Sequence, residues 1–336
     1  EGCCQSLYIG CMKKRQFLAL SGSTLLSGLT PSAAFSQAKF PDRPIKVIVP
    51  FAPGGDGDII GRLWVKFAIA HTGANFIVDN KAGAGGAIGA AEASRAKADG
   101  YTLLMAGLTN VFLPHVHQNL RFHPIDDLQG VGLVADLPNV LAVNAATPYK
   151  KLDDLIKADK QKPGSLSFAS AGIATPSHLV CEMVNHQTGS KLSHVPYKGN
   201  APAMVDVIGG KVTFMFDIVG TGKAFVESGK ARALAVTSKE RNPSVPDVPT
   251  MIEAGIADYE VLGWFAVIGP KGIPADVVAK LTKAVVAAKS SAGFKEAAQA
   301  SGYTVDMGTA KDLESQIDRE YKMWEAVVTK GKIYPD

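Results

Sequence analysis

The chain has 336 residues, 46% of them hydrophobic and 20% charged, with 35 Lys and Arg against 31 Asp and Glu. That apolar content excludes disorder and is enough for the cores of two ordinary domains. Residues 1–38 hold Lys13, Lys14, Arg15 and Glu1, so the remainder carries a net charge of only +2, which argues against a nucleic-acid partner, since that needs a basic face to displace counterions.

The first element reads as an export signal. Met12-Lys13-Lys14-Arg15 supplies a positive start, residues 17–29 an apolar run, and Ala33-Ala34-Phe35-Ser36-Gln37-Ala38 small residues suited to cleavage, placed here after Ala38. The residues before Met12 then read as upstream sequence. A membrane anchor is the weaker reading, because the run is too short and too rich in Ser and Gly to span about 30 Å of hydrocarbon. Lys14-Arg15-Gln16-Phe17-Leu18 also resembles a weakened twin-arginine signal, so the export route stays open. The expected compartment is the periplasm. Cys3, Cys4 and Cys11 fall in this segment, which leaves Cys181 alone in the mature chain and no internal disulfide. Cys181 sits in an apolar helical stretch and reads as a buried structural thiol.

Residues 45–106 alternate strand, helix, strand, helix, strand. The strands are 45–49, 76–79 and 101–106; Ile59, Ile60, Leu63, Trp64 and Phe67 recur at helical spacing, and a Gly/Ala-rich helix covers 87–96. A second series places strands at 141–143, 166–169, 194–195, 213–216 and 233–236, with helices at 152–159, 176–186 and 201–208. The Pro-rich stretch 242–249 breaks the alternation as a surface loop. One strand, 261–268, and two or three helices follow, the last with Leu313, Ile317, Tyr321, Trp324 and Val328 on one face. The alternation predicts an α/β protein of two lobes, each a mostly parallel sheet flanked by helices. One strand is too little sheet for a third domain, so the chain is expected to return to the first. Lobe 1 is then 39–140 plus 261–336 and lobe 2 is 141–260, with the ligand cleft between them.

Several loops join a strand to a helix start, where glycine lets the backbone approach a ligand and the first helical amides lack partners. Phe51-Ala52-Pro53-Gly54-Gly55-Asp56-Gly57-Asp58 is the first, and it contains no Arg or Lys. Phe51, Pro53, Gly54 and Gly55 are candidate ligand contacts. Asp58 either braces the helix through Arg62, four residues on, or tests a ligand for an ammonium group. Lys81-Ala82-Gly83-Ala84-Gly85-Gly86 is the second such loop. Its Gly83-x-Gly85-x-x-Ile88 pattern lacks the third glycine of a dinucleotide fingerprint. Ala84 and Gly85 are candidates, set against simple close packing of the Gly/Ala helix. Thr109 and Asn110 follow the third strand and are candidates by position. In the second lobe, Ser170, Gly172 and Thr175 are candidates, with Ser177 as helix cap and His178 opening the helix. Tyr197 is either a cleft wall or a buried aromatic, and Asp217 lies at a strand end on the hinge side.

Four segments also carry a family resemblance, in order along nearly the whole mature chain. They are Phe40-Pro41-Asp42-Arg43-Pro44-Ile45 through the Gly54-Gly55 turn to Arg62; Val78-Asp79-Asn80-Lys81-Ala82-Gly83 with Ala98-Asp99-Gly100-Tyr101-Thr102-Leu103; His194-Val195-Pro196-Tyr197-Lys198-Gly199 with Ala201-Pro202-Ala203; and Arg241 through Pro246-Asp247-Val248-Pro249-Thr250, Glu253, Gly255 and Trp264. The chain resembles the solute-binding proteins of tripartite tricarboxylate transporters, known also as Bordetella uptake (Bug) proteins. The resemblance implies a Venus-flytrap receptor that closes on a small carboxylate, held largely by backbone N–H groups and bridging water, and hands it to one large and one small integral permease subunit. Ala174-Thr175 stands where that family commonly has glycine and serine, which alters the expected pocket polarity. Di- and tricarboxylates, aromatic acids and acidic amino acids all suit such a cleft.

Catalytic patterns are missing: there is no G-x-S-x-G elbow, no H-E-x-x-H and no cysteine pairs spaced to hold zinc. His115, His117 and His123 lie in a Pro-containing stretch without a carboxylate before Asp126, a poor metal site. The expectation is a monomeric receptor without cofactor or metal. A ligand-sensing subunit for a membrane signalling partner and a nucleotide- or phosphate-binding enzyme are the alternatives.

Overall fold

The computed structural model describes residues 40–331 and 333, apart from 118, 119, 121, 174, 306 and 307. The export signal lies outside the described residues. In chain order the elements are β1 (Ile45–Val49), α1 (Asp56–Thr72), β2 (Phe76–Asn80), α2 (Ala87–Ser94), β3 (Thr102–Gly107), α3 (Leu108–Val116), β4 (Leu128–Leu137), β5 (Asn139–Asn144), α4 (Leu152–Gln161), β6 (Ser167–Ser170), α5 (Pro176–Thr188), β7 (Ser193–Pro196), α6 (Asn200–Ile208), β8 (Phe214–Ile218), α7 (Val219–Glu227), β9 (Ala231–Val236), β10 (Gly263–Pro270), α8 (Ala275–Ser290), α9 (Ala292–Ala300) and α10 (Ala310–Gly331). A short 3₁₀ turn, Ala84–Gly86, precedes α2.

Two five-stranded sheets result, ordered β2-β1-β3-β10-β4 and β7-β6-β8-β5-β9. In the first, β1 pairs parallel to β2 and β3, while β10 runs antiparallel to β3 and β4. The second repeats the scheme: β6 is parallel to β7 and β8, and β5 is antiparallel to β8 and β9. Four of the five strands in each sheet therefore run the same way and one, β10 or β5, runs against them, so the sheets are mostly parallel as the alternation predicts. The antiparallel strands are those beside the passages between sheets, since β4 leads to β5 through Pro138 alone and β10 brings the chain back.

The strand β4 has no counterpart in the sequence reading, and it carries two glycines, Gly130 and Gly132, a residue type depleted from strands. In the fold they are clearances: a Cβ on Gly130 would stand 3.1 Å from Leu313 of α10, and one on Gly132 3.1 Å from Val285 of α8. Glycine in the strand lets two helices lie close on the sheet. The central strand β1 is buried at every position but Lys46, as a strand covered on both faces must be. Trp64 of α1 is fully buried and meets Phe76 edge-on. The helix α10 packs on α3 and β4 and also on α5 of the second sheet's layer, and its Tyr321 ring takes up two of the three histidines weighed as metal ligands. His115 lies 4.3 Å from that ring and His123 5.3 Å, centroid to centroid. Cys181 is a free, buried thiol whose pKa burial pushes well up.

Candidate functional site

Between the two sheets lies a cavity of ≈ 360 Å³ walled from the first by Phe51, Ala52, Gly55, Asp56, Gly57, Gly107, Leu108 and Thr109, with Leu137, Gly263, Trp264 and Phe265 at the passages. The second side supplies Asn139, Ala171, Thr175, Pro176, Ser177, Asn200 and Ile218. Four helix starts face it, those of α1, α3, α5 and α6. None has a side-chain cap on its first-turn amides. The same is true of α2, α4, α7 and α8, whereas α9 and α10 are capped by Ser291 and Thr309, so what sets the four apart is their convergence on one cavity. The first amides of an α-helix have no partner one turn earlier, so the cavity collects donors and the positive ends of four dipoles.

The aromatic wall is fixed from behind. Phe51 and Phe265 meet edge-on at 5.7 Å, and Gly57 leaves room for Phe51, since a Cβ there would come within 2.2 Å of the Phe51 ring. Trp264 donates its indole N–H to Glu320 Oε2 at 2.8 Å. Burial of Glu320 raises its pKa to about 7.

Of the candidates read from the sequence, Phe51, Gly55, Thr109 and Thr175 line the cavity. Others have different occupations. The Gly54 N–H donates to Asp58 Oδ2 at 2.9 Å, and the Gly55 N–H to the Ala52 carbonyl at 3.2 Å, so neither glycine amide is spare. Pro53 and Gly54 are exposed on the turn. Asp58 is buried and its Oδ1 accepts from Arg62 Nε and Asn80 Nδ2, each at 2.8 Å. Burial opposes its charge, but these bonds win and hold its pKa below the ordinary value. Asp58 is thus the brace, not a wall residue. Ala84 and Gly85 are exposed outside the cavity; a Cβ on Gly89 would stand 2.9 Å from Pro50, the packing role weighed for this helix.

In the second lobe Ser170 is fully buried, donates to the Gly172 carbonyl at 3.0 Å and lies 2.5 Å from His194 Nε2. His178 stacks on His194 with centroids 3.7 Å apart, and burial lowers the His194 pKa to about 4. Ser170 and His178 therefore build a buried scaffold, with the part-buried Gly172 carbonyl bonded to it, and none of the three lines the cavity. Thr175 stands at the wall as expected, its Oγ1 donating to Gly172 O at 2.7 Å, while Ser177 does not cap the helix: its Oγ accepts from the Ala171 N–H at 2.9 Å and it too lines the wall. Tyr197 donates to Asp206 at 2.8 Å, away from the wall. Asn110 is buried and accepts the Gly107 N–H at 3.0 Å, shaping the start of α3 from within.

Asp217 is buried behind the wall and accepts from Asn200 Nδ2 at 3.1 Å and Thr221 Oγ1 at 2.9 Å. Burial, with the Asp56 charge adding to it, raises its pKa to about 6. The sequence reading missed Asp56, Gly57, Gly107, Asn139 and Asn200. The strand-glycine-helix junction at Ala106-Gly107-Leu108 and the glycine before Asn200 are the local signals that could have found two of them.

A family model described as the tripartite tricarboxylate transporter family receptor matches residues 65–333. Protein BugT of Bordetella pertussis is 34% identical over 299 residues, covering 88% of this chain and 92% of BugT. The solved structure of R. palustris Rpa4515 with adipate is 31% identical with a TM-score of 0.76, over 88% of this chain and 100% of that one. MatC (Rpa3494) from Rhodopseudomonas palustris, solved with bound malate, is 30% identical with a TM-score of 0.74, over 86% and 100%.

Proposed function

This chain belongs to the tripartite tricarboxylate transporter receptor family, a family of solute-binding proteins and not of enzymes, and from that premise we propose that it captures a small organic carboxylate between its lobes in the periplasm and delivers it to the membrane subunits of a transporter. The observation that carries this reading is the convergence of four uncapped helix starts on a cavity whose described lining contains no Arg, Lys or His. A carboxylate there is held by amides. Each helix end contributes about 0.3–1 kcal/mol and up to about 2 when partly buried, so four ends at the upper figure approach the roughly 8 kcal/mol of micromolar binding. Donors on one side alone would fall short. The ligand accordingly stabilises the form in which both sides reach it, a hinge equilibrium biased toward closure.

Adipate and malate in the two neighbours are both dicarboxylates, which supports a panel centred on that class. Isothermal titration of the purified protein with mono-, di- and tricarboxylates and aromatic acids should give micromolar binding for at least one. Absence of heat and of any thermal shift across the panel would overturn the proposal.

A further inference from the structure

Among the described residues lining the cavity, one side chain is charged, and it is an acid, Asp56. A carboxylate in the first turn of α1 favours that helix, but facing the cavity it repels a ligand that is anionic throughout and attracts one that also carries a cation. Asp56 has no cationic partner among the described residues; its Oδ1 accepts from the Tyr303 hydroxyl at 2.9 Å. Burial raises its pKa, the direction expected of a charge waiting for compensation. Across the cavity, Asp217 lies one residue before the wall residue Ile218 and is within electrostatic reach of Asp56. Asn200, also in the wall, turns its Nδ2 to Asp217. That leaves Asn200 Oδ1, a buried acceptor with no partner among the described residues. The backbone of the site thus donates, while its wall side chains Asp56 and Asn200 offer acceptors.

We propose that Asp56 is the specificity-determining residue of the cleft and that it selects an amino-carboxylate, whose carboxylate meets the helix-start amides while its ammonium group meets Asp56 and Asn200 Oδ1. This rests on the carboxylate-receptor reading above and goes beyond it by naming the second group of the ligand. An ammonium between the lobes also offsets the repulsion of Asp56 and Asp217, which coulombic attraction at a few ångströms readily does in a partly dry site. Ligand selection and closure are then one event.

The test uses matched pairs that differ only in the amino group, succinate with aspartate and glutarate with glutamate, titrated into the purified protein and into Asp56→Asn and Asp56→Ser. A thermal melt of each variant verifies that it is folded. The expected result is that the amino member binds at least about tenfold tighter than its parent acid to the natural protein, and that the ratio falls to about one in both variants. If the parent acids bind as well as the amino acids, or if the preference survives in both variants, the inference is overturned while the carboxylate reading stands. If malate exceeds aspartate, the group sensed is a hydroxyl and the ammonium assignment fails. If no acid binds any of the proteins, the carboxylate reading falls and this inference with it.

Discussion

Replacing Asp217 by Asn should stabilise the unliganded protein at neutral pH and leave it unimproved in acid. The Asp217 carboxyl titrates at about 6 in the fold against 3.8 for the free side chain, chiefly through burial, with Asp56 as the adverse neighbour. At about 1.4 kcal/mol for each tenfold difference, that gap corresponds to about 3 kcal/mol held against the folded state once the group is ionised. Below about pH 4 both folded and unfolded chains carry the proton. Between about 4 and 6 only the folded chain keeps it, so this residue's contribution to stability falls as pH rises through that window and stays low above it. An amide at 217 imitates the neutral acid. Its Oδ1 can accept from Asn200, and its Nδ2 can donate to Thr221 Oγ1, which also lies 3.1 Å from the Ile218 carbonyl and can turn its proton there. The expected gain at pH 7.5 is about 1–3 kcal/mol, reduced from the full figure by the weaker bonds of an amide. Urea unfolding at pH 4.0 and 7.5, comparing midpoints of the two proteins, measures it. A variant that loses the same stability at both pH values would refute the reasoning, because the carboxylate would then be a net asset whatever its charge.

Asp58→Ala leaves the Gly54 N–H, Asn80 and Arg62 without their acceptor, so it should cost about 2–3 kcal/mol in urea unfolding, while the affinity for the tightest acid of the panel changes less than about threefold. Gly57→Ala acts on the wall instead: the new Cβ meets the Phe51 ring at 2.2 Å, and the displaced ring should weaken binding by about tenfold in calorimetry, with an overpacking cost of about 1–3 kcal/mol. Gly220 of α7 approaches the backbone of Ser301 and Gly302 from the opposite side of the passage, and a Cβ there would stand 2.3 Å from the Ser301 carbonyl. Gly220→Ala should hold the lobes apart, so that small-angle scattering shows a smaller ligand-induced contraction than in the natural protein; an equal contraction would show that this approach plays no part in closure.

How much of this was legible depends on the distance over which each feature is written. A strand, a glycine and a helix start within ten residues are local, and the junctions at Phe51–Gly57 and Ser170–Ser177 could be picked out as candidate loops without a structure; both supply residues to the cavity wall. The strand β4 could not, because Gly130 and Gly132 state their reason only through Leu313 and Val285. The cap expected of Ser177 is not made, because a helix that opens on Pro176 lacks one of the amides a cap would serve and the Ser177 hydroxyl is taken by the Ala171 N–H across the loop.

The most instructive case is the pair of acids in Gly55-Asp56-Gly57-Asp58. The sequence leaves Asp58 two roles, bracing the helix through Arg62 four residues on or testing a ligand for an ammonium group, and in the fold its carboxylate is engaged by Arg62 and Asn80 at Oδ1 and by the Gly54 amide at Oδ2. Asp56 has no cationic partner one helical turn away, and the Tyr303 hydroxyl that donates to it comes from 247 residues along the chain. The acid with a visible local partner is held by the fold, as that partner suggests. One without such a partner reads as idle and stands at the wall. In a cleft built from helix starts, then, the side chain that can choose the ligand is the one that local pairing rules leave unassigned.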